Sequence, residues 1–132
     1  MLGVLGAWHG VAAVQNAFDV LASTGIAPAL RPLAAKNFAL IGNATKELQP
    51  SKATIAMLLT GVALIEGAAS LAFVRATLSD SDGEAAFVLS LALFGTFFLI
   101  DDALDDYDLG ADHRAIFTMV ATSYAAIRAA GE

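Results

Sequence analysis

The sequence lacks cysteine and has few charged residues. Charged side chains make up 15% of its 132 residues, whereas about 25% is usual in soluble domains. Without cysteine, disulfide bonds and thiolate metal sites are excluded. Basic residues are scarce as well, with 7 Lys and Arg against 13 Asp and Glu and a net charge of −6. This shortage argues against a nucleic-acid partner, because no basic patch is present to neutralise phosphates.

Apolar residues dominate the composition instead. They account for 58% of the sequence, and the mean hydropathy is +0.69. A soluble domain of this length would need more polar surface. The apolar residues gather in four stretches, at about 2–24, 53–75, 84–103 and 113–130. Because a bilayer-crossing helix needs about 20 apolar residues, the sequence predicts an all-α integral membrane bundle of about four transmembrane helices, a single domain covering residues 1–132.

The fourth stretch is the shortest in uncharged residues, with 13 of them before Arg128. A long basic side chain near a helix end can reach the membrane surface while its aliphatic stem stays in lipid. Four crossings are therefore expected. The alternative is a protein with three crossings and a fourth helix on the membrane surface.

The connection between the first two stretches contains all three prolines of the chain, Pro28, Pro32 and Pro50. Between them, apolar residues recur at helical spacing, namely Leu33, Ala34, Phe38, Ile41, Ala44 and Leu48. This pattern predicts a short amphipathic helix at about 33–48 that lies at the membrane interface, with Phe38 and Ile41 directed into lipid or into the bundle. The alternative is a re-entrant or disordered loop.

Lysine and arginine in the connections indicate an orientation. The first and third connections contain Arg31, Lys36, Lys46, Lys52 and Arg114, and the other side has Arg75 and Arg128. Basic residues are enriched on the cytoplasmic side of membrane proteins. The pattern therefore predicts a multi-pass protein with non-cytoplasmic termini. No basic residue precedes His9, which favours a retained first helix over a cleaved signal peptide.

Polar side chains inside the apolar stretches are the candidate functional residues. They are His9, Asn16, Asp19 and Glu66. A charged residue at the bilayer centre costs about 2.5–3.5 kcal/mol on insertion scales, so we expect these side chains to point into the bundle. Counted from one side, His9 and Glu66 lie at similar depth, and a hydrogen bond between them is allowed. Such a pair would be structural, as most buried polar pairs are; the alternative is a ligand or proton site.

Acidic residues crowd the end of the third stretch, where Asp101 and Asp102 precede further aspartates and His113. Helix counting places Asp19 at the same end. Carboxylates and imidazole suit a divalent cation, so Asp19, Asp101, Asp102 and His113 form a candidate metal site. The alternatives are a solvated acidic helix end, or an inward aspartate held by a hydrogen bond or by Arg114. Adjacent helical residues point about 100° apart, so we expect one of Asp101 and Asp102 to face inward.

Two stretches carry a resemblance to known proteins. They are Leu30-Arg31-Pro32-Leu33-Ala34-Ala35-Lys36-Asn37-Phe38, which leads to Glu66, and Ile100-Asp101-Asp102, which is followed by Tyr107 and His113. In both, the chain resembles small bacterial membrane proteins of four helices, broadly DoxX-like and mostly uncharacterised. The resemblance implies the four-helix membrane architecture and implies nothing about a substrate.

Sequence motifs of the common enzyme classes are missing. The chain has no Gly-rich phosphate loop, no nucleophile elbow and no Glu-x-x-His pair of the di-iron bundles, which favours a protein that is not an enzyme. We expect an accessory or assembly subunit of a larger membrane complex, whose partners are the lipid bilayer and other membrane subunits or further copies of itself. One alternative is a small-ligand or metal-binding bundle with redox or proton-transfer activity, for which a divalent cation is a possible cofactor. A second alternative is an oligomeric transporter.

Overall fold

The structure is a computed structural model that describes residues 1–79, 81, 83–103 and 107–130, with the backbone alone for Asp102 and residues 107–110. Its α-helices are α1 (Leu2–Ser23), α2 (Asn37–Ala44), α3 (Lys52–Ser79), α4 (Glu84–Ala103) and α5 (Tyr107–Ala130). Two short 3-10 helices, Pro28–Leu33 and Lys46–Leu48, lie before and after α2. The described part of the chain contains no strand, so the prediction of an all-α fold is confirmed.

Each of the four apolar stretches forms one long helix. Within the described residues, two of these helices are long and apolar enough to cross a membrane, namely α3 and the Glu84–Asp101 part of α4. Helices α1 and α5 have 22 and 24 residues, which at about 1.5 Å per residue also reaches across the hydrocarbon core. Neither α1 nor α5 is among the helices whose length and apolar composition mark them as candidate spans, and the four-span arrangement stays a prediction.

The connection between α1 and α3 contains a helix, as its periodicity predicts, but a shorter one than residues 33–48. Helix α1 ends before Gly25, whose φ of +82° suits glycine. The backbone is extended at Ala34, with ψ of 151°, so the 3-10 turn begun by Pro28 does not run on into α2. After Lys46–Leu48, Gln49 adopts a left-handed conformation directly before Pro50. These breaks confine α2 to eight residues.

The chain divides into two compact units. Unit 1 comprises Met1–Trp8 and Ala68–Glu132, and unit 2 comprises His9–Gly67. The core of unit 1 consists of Leu5, Phe73, Ala86, Phe87 and Val120. Phe87 packs edge-on against Phe73, with ring centroids 5.0 Å apart, and tilted against Tyr124 at 5.1 Å. Aromatic rings from three helices therefore meet in this core.

Helices α1 and α3 approach closely in unit 1 at Gly6. The Ser70 hydroxyl donates a hydrogen bond to the Gly6 carbonyl at 2.7 Å. A Cβ atom at Gly6 would lie 3.1 Å from the Cβ atom of Phe73, so the missing side chain is what permits the contact.

The core of unit 2 joins α2 to α3. Phe38, Ile55 and Leu59 are buried together, and Val20 and Ile41 pack against them. Phe38 and Ile41 of α2 thus turn inward, one of the two directions that the periodicity allowed.

Candidate functional site

Asp19 is the centre of the polar cluster in unit 2. Its side chain is fully buried. One carboxylate oxygen, Oδ2, accepts the backbone N–H of Phe38 at 2.7 Å. The other, Oδ1, accepts hydrogen bonds from Nη1 of Arg31 at 3.0 Å and from the hydroxyl of Ser23 at 3.1 Å. Three donors therefore hold this carboxylate in place, and two of them, Arg31 and the Phe38 N–H, belong to the connection.

Asp19 also caps helix α2 from a distance. The first N–H groups of a helix lack partners within it, and a nearby side-chain oxygen usually accepts one. Lys36 occupies the cap position of α2, and its own side chain makes no capping hydrogen bond. Asp19, which is 19 residues earlier in the chain, accepts the Phe38 N–H instead. Its negative charge also suits the positive end of the helix dipole.

Arg31 completes the cluster around Asp19. Its second terminal nitrogen, Nη2, donates to the Ser23 hydroxyl at 2.9 Å. The Arg31 side chain is about half exposed, and Asp19 is fully enclosed. The guanidinium thus covers the buried carboxylate from the outside and offsets its charge.

A second set of hydrogen bonds links three segments of unit 2. Nδ2 of Asn37 donates to Oδ1 of Asn16 at 2.7 Å, and Nδ2 of Asn16 donates to Oε2 of Glu66 at 2.7 Å. The N–H of Ala35 donates to the carbonyl of Gln15 at 3.1 Å. The connection, α1 and α3 are joined by this chain of donors and acceptors.

The predicted site residues of the first two apolar stretches are all buried. The His9, Asn16, Asp19 and Glu66 side chains are between 0% and 4% exposed. Asn16 and Glu66 come together, while Asp19 forms its own cluster with Arg31. Glu66 accepts a hydrogen bond from Asn16, and the His9–Glu66 hydrogen bond stays a prediction.

Asp101 and His113 form a polar contact within unit 1. Oδ2 of Asp101, which is buried at the end of α4, is hydrogen-bonded to Nδ1 of His113 on α5. The His113 ring lies beside Phe97, with centroids 5.0 Å apart. Arg114, one of the alternatives for holding an inward aspartate, lies over the ring of Phe98 at 5.2 Å. Asp101 is thus an inward aspartate held by a protein partner.

The predicted metal site stays a prediction. Among the described side chains, no three His, Asp or Glu residues gather in a way that could hold a metal ion. The side chain of Asp102 and the neighbouring Asp105 and Asp106 lie outside the described residues. Asp19 belongs to unit 2, and Asp101 and His113 belong to unit 1.

Sequence reasoning missed the partners of Asp19. In the sequence, Arg31 indicates an orientation and is not linked to Asp19. Two signals were present: Ser23 lies one helical turn after Asp19, and Arg31 is the first basic residue of the chain. The N–H of Phe38 leaves no signal in the sequence, because every residue except proline carries that donor.

Comparison with known protein families, with curated proteins and with solved structures finds no match for this chain. The resemblance to the DoxX-like proteins therefore stays a prediction.

Proposed function

We propose that this chain is a multi-pass integral membrane protein that acts as an accessory or assembly subunit of a larger membrane complex. The observation that carries the proposal is the exposed apolar surface of the two candidate spans, in α3 and α4. Only 22% of the residues in the candidate span of α3 and 33% of those in α4 are buried within the chain. A core helix of a soluble protein would be mostly covered. Lipid and partner helices are the surroundings that favour such a surface.

The polar clusters fit a structural role better than a catalytic one. Asn16, Glu66, Asp19 and Arg31 hydrogen-bond to one another or to the backbone. Their bonds hold the connection on α1 and α3, which is the task expected of buried polar groups in a scaffold.

A photoreactive amino acid placed on α3 tests the proposal. Leu64 is exposed and Leu59 is buried on the same helix, so Leu59 is the matched control. In native membranes we expect position 64 to cross-link to one defined membrane protein, and position 59 to give no such product. Cross-links to lipid alone would contradict the accessory role. Cross-links to a second copy of the chain would favour a homo-oligomer.

Four crossings with non-cytoplasmic termini belong to the same proposal. The chain has no cysteine, so single cysteines at Asn43 and Ser81 report orientation cleanly; both positions are exposed. An impermeant thiol reagent applied from outside should label Ser81→Cys and spare Asn43→Cys. The reverse pattern would invert the orientation.

The second candidate function is ligand or metal binding at Asp101 and His113. A carboxylate that is hydrogen-bonded to one ring nitrogen of a histidine fixes the orientation of the ring and of its other nitrogen. Histidines that bind metal ions are commonly oriented in this way. Metal analysis of the purified chain tests this idea against the variant His113→Gln. Stoichiometric metal in the unaltered chain that is lost in the variant would support metal binding at this pair. Equal trace amounts of metal in both proteins would contradict it.

A further inference from the structure

The connection between α1 and α3 is the positively charged part of an acidic protein. Residues 31–52 contain four of the seven basic residues, Arg31, Lys36, Lys46 and Lys52, and one acidic residue, Glu47. The rest of the chain has three basic and twelve acidic residues. Positive charge is therefore concentrated in one short segment.

The three lysines of this segment are exposed. Arg31 is engaged by Asp19, but none of Lys36, Lys46 and Lys52 forms an ion pair with a residue that the structure describes. All three ammonium groups are thus available to an external anion. Lys52 is the first residue of α3, whose amino end adds partial positive charge beside it.

Large apolar side chains are exposed among these lysines. Leu33 is 60% exposed, Leu40 is 41% exposed and Leu48 is 72% exposed. Water disfavours such a surface, whereas the boundary between headgroups and acyl chains accommodates both leucine and lysine. The hydrogen bonds of Asp19 and Asn16 hold the segment in position.

We propose that this connection binds the anionic headgroups of one membrane leaflet through Lys36, Lys46 and Lys52. The leucines enter the acyl boundary, and the ammonium groups contact phosphate. Charge complementarity selects the occupant, because a cationic and apolar surface matches an anionic phospholipid better than a zwitterionic one. The inference rests on the proposed membrane location and adds the lipid class to it.

Lipid retention by the full chain tests the inference. The protein in mild detergent is mixed with phosphatidylglycerol or phosphatidylcholine, and bound lipid is counted by native mass spectrometry. Each lysine near an anionic surface contributes about fivefold in affinity. We expect retained phosphatidylglycerol to exceed phosphatidylcholine, and the triple variant K36Q/K46Q/K52Q to lower that preference at least about fivefold. The variant K36R/K46R/K52R should keep it.

The matched control removes the other three basic residues, in R75Q/R114Q/R128Q. It changes the net charge equally and should leave the lipid preference unchanged. Equal loss in both triple variants, or no preference in the unaltered chain, would overturn the inference. Displacement of the lipid by an equal concentration of inorganic phosphate would also overturn it, because a free anion would then suffice. Helicity measured by circular dichroism confirms that each variant is folded.

Failure of this inference is distinguishable from failure of the membrane location. If alkaline carbonate extracts the chain from membranes, the chain is not an integral membrane protein, and this holds whether or not its lysines bind lipid headgroups. A chain that resists carbonate but shows no phosphatidylglycerol preference keeps its membrane location and loses the headgroup contact.

Discussion

Among the described residues, unit 2 buries four polar side chains and unit 1 buries two, whereas the fully buried phenylalanine rings lie in unit 1. In unit 2, Asp19, Asn16 and Glu66 are buried and each has a hydrogen-bond partner 3.1 Å away or closer. In unit 1, Phe73 and Phe87 are fully buried and pack ring against ring. Hydrogen bonds are directional and select one partner, but apolar contacts tolerate repacking. The comparison indicates that unit 2 is specified by its polar pairs and unit 1 by the volume of its core.

The two units also differ in charge. Unit 1 contains ten acidic and three basic residues, and unit 2 contains three acidic and four basic residues. Two of the acids of unit 2, Asp19 and Glu66, are buried. Its exposed surface is accordingly cationic, and this surface is where the headgroup contact is proposed.

The largest expected effect tests the aromatic core of unit 1. Phe87→Ala removes a fully buried ring that touches Phe73 and Tyr124. Phenylalanine-to-alanine changes in cores cost about 3–5 kcal/mol, and we expect a loss of that size in SDS-induced unfolding followed by circular dichroism. Val88→Ala, at the exposed neighbouring position, should cost far less. Similar losses for the two variants would mean that the ring cluster does not hold unit 1.

The next effect tests the polar cluster of unit 2. Asp19→Ala leaves the Phe38 N–H without its acceptor, and an unsatisfied buried donor costs about 1–3 kcal/mol. We expect a loss near the top of that range, with faster hydrogen exchange in α2. Asp19→Asn should recover part of the loss, since its amide oxygen accepts the same N–H. Asp112→Asn, at an exposed acid, is the control. If Asp19→Ala were as stable as the unaltered chain and hydrogen exchange in α2 were unchanged, Asp19 would not cap α2.

The smallest effect separates hydrogen bonding from charge at Glu66. Glu66→Leu leaves the Asn16 amide without its acceptor, and Glu66→Gln keeps a carbonyl oxygen there. A typical hydrogen bond contributes about 1 kcal/mol net, so we expect the leucine variant to be less stable than the glutamine variant by about that amount. The same SDS titration measures it. If leucine were equal to glutamine or better, the Asn16–Glu66 pair would be dispensable, and apolar packing would suffice in unit 2 as well.

The helices could be predicted from the sequence because long apolar runs leave little choice of secondary structure. The burial of Asn16, Asp19 and Glu66 was also predictable, since a polar group surrounded by apolar residues needs partners inside the chain. Their partners were not predictable. Helix counting compares depth along an axis and rotation around it, and it does not reveal which side chain of a long connection folds back. It could not identify Arg31 as the partner of Asp19.

The bounds of α2 escaped prediction for a different reason. Its apolar periodicity continues on both sides, to Leu33 and Leu48. The helix is shorter because the backbone is extended at Ala34 and left-handed at Gln49. Side-chain periodicity reports the face that a segment buries, and backbone conformation determines where the helix stops.

The cap that Asp19 provides for α2 imposes an order on folding during synthesis. A helix of eight residues is too short to persist alone in water, so α2 needs the carboxylate of α1 before it can form. The residues of this cluster leave the ribosome before α3, which begins at Lys52. They are Asp19, Ser23, Arg31 and Phe38. The Asn16–Glu66 bond can close only after α3 is largely made. We therefore expect unit 2 to assemble in two stages. Ribosome-bound chains in which residues 1–48 have left the exit tunnel while α3 is still inside it should already show the first stage. Their Phe38 amide should be protected from exchange in the unaltered chain and unprotected in Asp19→Ala chains.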